Sequence, residues 1–161
     1  MDDRPIPEPD CPDALRITEH VPMAHVSDVD RSIRFYSILG FRCDSRFSDE
    51  RGITNWCALS SGKARLFLSR ASGPIVAADQ AVLFYMYARD VRALRAHLLA
   101  RGIADGGPIP WERGGGGRAD PGSRPPVAPA VFEAVPRFYM PSGELRIHDP
   151  DGYVILVGQL D

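Results

Sequence analysis

The chain has 161 residues, 44% of them apolar and 25% charged, and its 19 basic and 21 acidic side chains leave a formal net charge of −2. That length suits one domain or two small fused modules with enough mass to bury a substantial core, and the balanced charge removes any electrostatic case for nucleic acid or an anionic membrane as partner. No apolar run approaches the roughly 18 residues of a membrane span, the acidic, proline-rich start "MDDRPIPEPDCPDALR" has no secretory pattern, and Cys11, Cys43 and Cys57 lack metal or disulfide spacing, so they read as reduced thiols of a cytoplasmic protein.

In chain order, residues 1–15 are expected to form a poorly ordered arm, followed by a single domain over 16–161 with a first module at about 16–75 and a second at about 80–161. The first module opens with the strand-like run "VPMAHV". Asp28 is placed to cap a helix, and the strand-like runs "ITNWCAL" and "ARLFLSR" follow that helix. The second module opens with "AVLFYMYA", continues with a helix capped by Asp90, and closes with "ELRIH" and "YVILVG". Between its helix and its last strands, residues 104–137 are dense in Gly and Pro. That composition predicts a long loop with room for one short edge strand, either disordered or functional, with Trp111, Phe132 and Glu133 as its candidates for function.

The two halves repeat each other. "HVSDVDRSIRFYSILGF" (25–41) and "MYARDVRALRAHLLARGI" (86–103) each carry Asp-Val at the end of a strand and a Gly twelve residues after the Asp, and the offset between them is 62 residues. Val29, Ile33 and Tyr36 in the first helix, and Val91, Leu94 and Leu98 in the second, give each one apolar stripe. Gly40 and Gly102 are expected to end the helices in the left-handed conformation. Near the C-terminus, Asp149-Pro150-Asp151-Gly152 reads as a tight turn closing a hairpin.

A repeated strand, Asp-capped helix and strand group ending in "DPDGY" resembles the vicinal oxygen chelate superfamily, which includes glyoxalase I, extradiol dioxygenases and the bleomycin resistance proteins. The matching stretches are "VPMAHVSDVDRSIRFYSILGF", "VLFYMYARDVRALRAHLLARGI" and "GELRIHDPDGYVILVGQ". The resemblance implies an α+β fold of two βαβββ modules whose strands curl into incomplete barrels around a cleft, usually in a homodimer.

Enzymes of that superfamily hold a divalent metal with His, Gln or Glu side chains from four strands. The resemblance places the four positions at Val21, Phe67, Leu83 and Leu156, none of which can ligate a metal. His20 and His25 are five apart on one strand and point to opposite faces. His25, Glu144 and His148 are the remaining candidates for a displaced site, and His97 belongs to the exposed face of its helix.

The expectation is therefore a protein without metal or other cofactor that binds a small molecule. Strand parity counted from the positions that the resemblance assigns, Val21, Phe67 and Leu83, puts Met23, His25, Arg65, Ser69, Tyr85 and Tyr87 on the cleft side together with Phe67 itself. Parity together with the resemblance adds Glu144, Arg146 and His148, with Leu145 and Ile147 against the core. The expected ligand contacts are His25, Arg65, Phe67, Tyr85, Tyr87 and Arg146, with Trp56 and Trp111 as further anchors, a lining suited to a flat or amphipathic compound. Each of these side chains also has an ordinary role in a core or on a surface. The alternative is a metal-dependent lyase or dioxygenase with a displaced site, or a metal-free enzyme using His25 or Glu144 as general base. No nucleophile motif or phosphate loop competes: the glycines at 114–117 follow no strand and open no helix.

Overall fold

The computed structural model describes residues 19–76, 83–109 and 129–160, so the N-terminal arm expected at 1–15 and Trp111 lie outside the described residues. The elements in order are β1 (Met23–Val26), α1 (Val29–Ile38), β2 (Arg42–Ser48), β3 (Thr54–Ser61), β4 (Ala64–Arg70), β5 (Leu83–Ala88), α2 (Val91–Ala100), β6 (Ala104–Gly107), β7 (Ala130–Phe132), β8 (Val135–Arg137), β9 (Met140–His148) and β10 (Val154–Gln159). The chain is thus α+β with the same plan stated twice, as expected.

The helix boundaries follow from the residues that predicted them. The Asp28 carboxylate accepts from the Arg31 N–H, and that of Asp90 from the Arg92 and Ala93 N–H groups, satisfying donors that have no partner inside the helix. At the other ends Gly40 (φ 87°) and Gly102 (φ 84°) adopt the left-handed conformation that a side chain would disfavour. The stripe of α1 is shifted from the expected one: Val29, Ser32, Phe35 and Tyr36 are buried, whereas Ile33 packs only at the margin of the core.

The strands form two sheets. The first has the order β1-β4-β3-β2, the second β5-β10-β9-β7-β6, with β8 paired to β9. β1 runs parallel to β4 and β5 parallel to β10, so the topological repeat matches the sequence repeat. Alternate residues from both sheets meet the two helices in one core: Ala24, Val26, Leu66 and Leu68 from the first, Leu145, Ile147, Ile155 and Val157 from the second. Each helix covers one face of its sheet, and the opposite faces carry the other half of the alternation.

Two expectations need correction. Strand β2, "RCDSRFS", escaped a reading based on apolar runs because it is an edge strand whose seven residues are all exposed. The described parts of residues 104–137 contain three short strands where one was expected. β6 pairs parallel with β7, and β7 pairs with β9, despite the glycines. Gly106 is there because the buried Phe132 ring lies on it: a Cβ at 106 would sit 2.7 Å from two ring carbons.

Candidate functional site

The faces that α1 and α2 leave uncovered carry the predicted ligand residues that the structure describes, all but Trp111. On the first sheet, Met23 lies opposite Phe67 and His25 opposite Ser69 across the β1–β4 ladder, and Trp56 pairs with Ser69 across β3–β4. Met23 and His25 are exposed while Ala24 and Val26 are buried, as parity requires. The rings of Trp56 and Phe67 pack with centroids 5.1 Å apart. Arg65 reaches the edge of this face and pairs with Glu19 at 3.3 Å.

On the second sheet one row runs Tyr85, Leu156, Arg146 across β5, β10 and β9, and the next runs Tyr87, Gly158, Glu144. The rings of Tyr85 and Tyr87 are 5.4 Å apart and 39% and 60% exposed, an aromatic surface at one edge of the sheet. Leu145 and Ile147 are fully buried on the other side, which fixes the direction of Glu144, Arg146 and His148.

These three polar residues are far from equivalent. Glu144 is almost fully buried; its carboxylate accepts from the Tyr85 hydroxyl at 2.8 Å and from the Tyr139 hydroxyl at 3.2 Å, and pairs with Arg137 at 3.5 Å. The Tyr85 hydroxyl reaches across β10 to Glu144 over Gly158, where a Cβ would lie 3.0 Å from the phenol oxygen and 2.8 Å from the Met140 methyl. Burial, then the Glu144 carboxylate, push the Tyr85 phenol well above its usual range and keep it a donor. Arg146 donates through Nε to His148 Nε2 at 3.1 Å, so that ring nitrogen is unprotonated. His148 packs edge-on against Phe132, with ring centroids 4.9 Å apart; burial, reinforced by Arg146, lowers it to about 4. Burial lowers Arg146 to about 10, with Glu144 opposing.

Tyr139, Arg137 and Gly158 belong to this site and were missed from sequence. Only Gly158 carried a signal, a glycine inside a strand marking close approach of another group. The structure brings Tyr85, Tyr87 and Arg146 together on one sheet and Trp56, Phe67, Arg65 and His25 on the other. His25 is thereby separated in sheet and strand from Glu144 and His148, and among the described residues no three His, Cys, Asp or Glu side chains gather as a metal set. Phe67 and Leu156 both occupy the open faces, in the register that the resemblance assigned to metal-ligand positions. Glu144, tied by two phenols and a guanidinium, is poorly placed to accept a proton from a substrate. A separate depression of about 330 Å3, lined by Arg92, Arg95, Ala96, Leu99, Glu133 and Ala134, lies beside α2 and contains none of the predicted ligand residues.

Solved structures with this arrangement include the bleomycin resistance determinant encoded on the transposon Tn5, with a TM-score of 0.62 at 17% identity, covering 90% of this chain and 99% of that one. The fold is that of the bleomycin resistance proteins. The bleomycin-binding protein of Streptomyces verticillus, solved with copper(II)-bleomycin, has a TM-score of 0.61 at 20% identity and covers 91% of this chain and 99% of its own. An antibiotic-binding protein from another Streptomyces has a TM-score of 0.56 at 19% identity, covering 91% of this chain and 100% of its own. No protein-family model matches the sequence, and no curated protein matches it significantly. The structural likeness agrees with the resemblance to the vicinal oxygen chelate superfamily and with the α+β, two-module expectation. Among the described residues no helix is long and apolar enough to cross a membrane.

Proposed function

We propose that this protein binds an aromatic or amphipathic small molecule on the open sheet faces and sequesters it without a metal, in a cleft completed by a second copy of the chain. The observation that carries the reading is the pair of exposed rings, Tyr85 and Tyr87, beside the half-buried Arg146 on a face that neither described helix covers. Aromatic surface with a few fixed polar groups is the composition of small-molecule sites. Antibiotic-binding proteins with the same fold support a binding or resistance role, although fold alone does not fix the ligand. Apolar side chains at Val21, Phe67, Leu83 and Leu156 support metal independence, since each replaces an oxygen or nitrogen donor with hydrocarbon.

A second copy is proposed because Met23, Phe47, Tyr87, Phe138 and Tyr139 are each more than half exposed; so much apolar and aromatic surface favours association. Native mass spectrometry of protein purified without chelator tests these points together. A metal-free dimer is the expected result, with a carried small molecule as a bonus. One divalent ion per subunit would overturn the metal-independent reading and redirect attention to His25, Glu144 and His148.

A further inference from the structure

We infer that Cys43 and Cys57 form a redox-sensitive pair: a peroxide oxidises the exposed Cys43, and the buried Cys57 closes on it as a reversible disulfide between β2 and β3. Cys43 lies opposite Leu59 across the β2–β3 ladder, and Cys57 stands two residues from Leu59 on the same strand. Alternation therefore turns both thiols, as diagonal neighbours, to the face on which Cys57 and Leu59 are buried in the core. The Cys43 thiol donates to the Ser45 carbonyl at 3.4 Å and so leans along β2 toward Arg46, the residue directly opposite Cys57. The two thiols interact directly. β2 is an edge strand, paired with β3 alone, and its register shifts between Cys43 and Ser45. Its backbone can therefore adjust to bring the sulfurs into bonding distance without disturbing a second ladder.

The two thiols differ in what they can do. Cys43 is exposed and meets dissolved peroxide directly, whereas Cys57 has no accessible surface. Burial, then the neighbouring Cys43, push the Cys57 thiol up to about 12, so it stays protonated and unreactive until an oxidised sulfur is presented to it. The Cys43 sulfur attacks one peroxide oxygen, breaking the O–O bond; Cys43 becomes a sulfenic acid and one water is released. The Cys57 sulfur then displaces the sulfenic hydroxyl, which leaves with the Cys57 proton as a second water. Two electrons pass from the thiols to the peroxide, and an external dithiol reverses the link. Phe47 and Trp56 pair across the same two strands, so closure also fixes the edge of the open face that carries Trp56.

The test uses the full chain carrying Cys11→Ser, which leaves only these two cysteines, and the same chain with Cys43→Ser or Cys57→Ala added. Each is treated with hydrogen peroxide, unfolded, alkylated with iodoacetamide and digested with trypsin. In the two-cysteine chain neither thiol should be alkylated. The peptides Cys43–Arg46 and Gly52–Lys63 should be recovered joined, lighter by two hydrogens than their sum, and dithiothreitol should separate them. Closure should quicken as pH rises, because Cys57 has to surrender its proton. Cys57→Ala should leave Cys43 to pass from sulfenic to sulfinic acid, and Cys43→Ser should leave Cys57 fully alkylated after unfolding. If Cys43 of the two-cysteine chain fails to react, or reaches sulfinic acid while Cys57 remains free for alkylation, the fold keeps the sulfurs apart and the proposed pair is wrong. Linkage only between two chains, or only in protein oxidised in urea, overturns it equally. The peptide map of the two-cysteine chain decides the matter even if Cys57→Ala, placed in the core, folds poorly.

Discussion

The hydroxyl of Tyr36, buried on α1 in the first half of the chain, donates to the Asp149 carboxylate of the turn in the second half at 3.1 Å. Around this bond the same turn gathers further ties between the halves. Asp151 accepts from the Ser27 N–H and hydroxyl and from Arg31, and the Tyr153 hydroxyl donates to the His25 carbonyl at 2.8 Å. The Asp149-Pro150-Asp151-Gly152 sequence therefore does more than reverse the chain: its two carboxylates fasten one half of the molecule to the other. Tyr36→Phe removes one donor and keeps the ring, which packs edge-on against Phe35 and Phe41. Leaving a buried carboxylate short of a partner costs about 1–3 kcal/mol, a fall of several degrees in Tm for a chain of this size. Thermal unfolding followed by circular dichroism measures it, and an unchanged midpoint would mean the bond contributes nothing to stability.

Acid stability should show two opposing slopes. Burial raises Asp149 from 3.8 to about 6, against the pull of three donors, and lowers His148 from 6.5 to about 4. A carboxyl with a raised folded-state pKa stabilises most below the unfolded value, and that contribution is lost as pH rises from about 4 to 6. An imidazole with a lowered pKa contributes fully above 6.5, and that contribution is lost as pH falls toward 4. Across this window the two largely offset, so wild-type stability should change little with pH on their account. His148→Gln removes one side of the balance: its unfolding free energy, measured by urea titration, should fall as pH rises from 4 to 6, by an amount on the order of 2 kcal/mol, with a matching fall in midpoint. A midpoint that rises over the same range would show that Asp149 is ionised well below pH 6 in the folded protein.

How much of this was legible beforehand depended on whether a residue's role was local. Asp28, Gly40, Asp90 and Gly102 announce caps and stops through chemistry confined to a few neighbouring residues, and each was placed correctly. The direction of the side chains along β9 likewise followed from alternation taken together with the family resemblance, which put Leu145 and Ile147 against the core. β2 was invisible because an exposed edge strand needs no apolar face, and β6 because its pairing with β7 depends on residues more than twenty positions away. The Glu144 network was illegible for the same reason. Its donors come from β5, from the chain just before β9 and from β8, and nothing in the run "ELRIH" signals that its glutamate is buried.

Gly106 tests whether β6 is held by close packing. Its backbone is not in the left-handed region, so alanine is unstrained there except for the contact at 2.7 Å with the Phe132 ring. Phe132 is itself buried against Ile109, Ala130 and His148, leaving little room to yield. Gly106→Ala should cost about 1–3 kcal/mol through overpacking, read from urea unfolding. Adding Phe132→Leu should recover part of that loss, the signature of a shared contact. Independent, additive effects of the two substitutions would show that β6 is held by something other than this packing.

Tyr85 performs two tasks that two substitutions separate. Its hydroxyl supports Glu144, while its ring lies beside Tyr87 on the open face. Tyr85→Phe keeps the ring and strips the shortest donor from a buried carboxylate, so stability should fall by about 1–3 kcal/mol while affinity for the flat aromatic probe 2-naphthoate stays within a few-fold. Tyr85→Ala also removes the platform; naphthoate should then bind about tenfold more weakly, the loss of one aromatic pairing, with the oligomeric state seen by native mass spectrometry unchanged. Unaltered affinity in the alanine variant would place the ligand away from β5 and refute the reading of this face. If both variants lost binding equally, Tyr85 would act through the position of Glu144 and not through its ring.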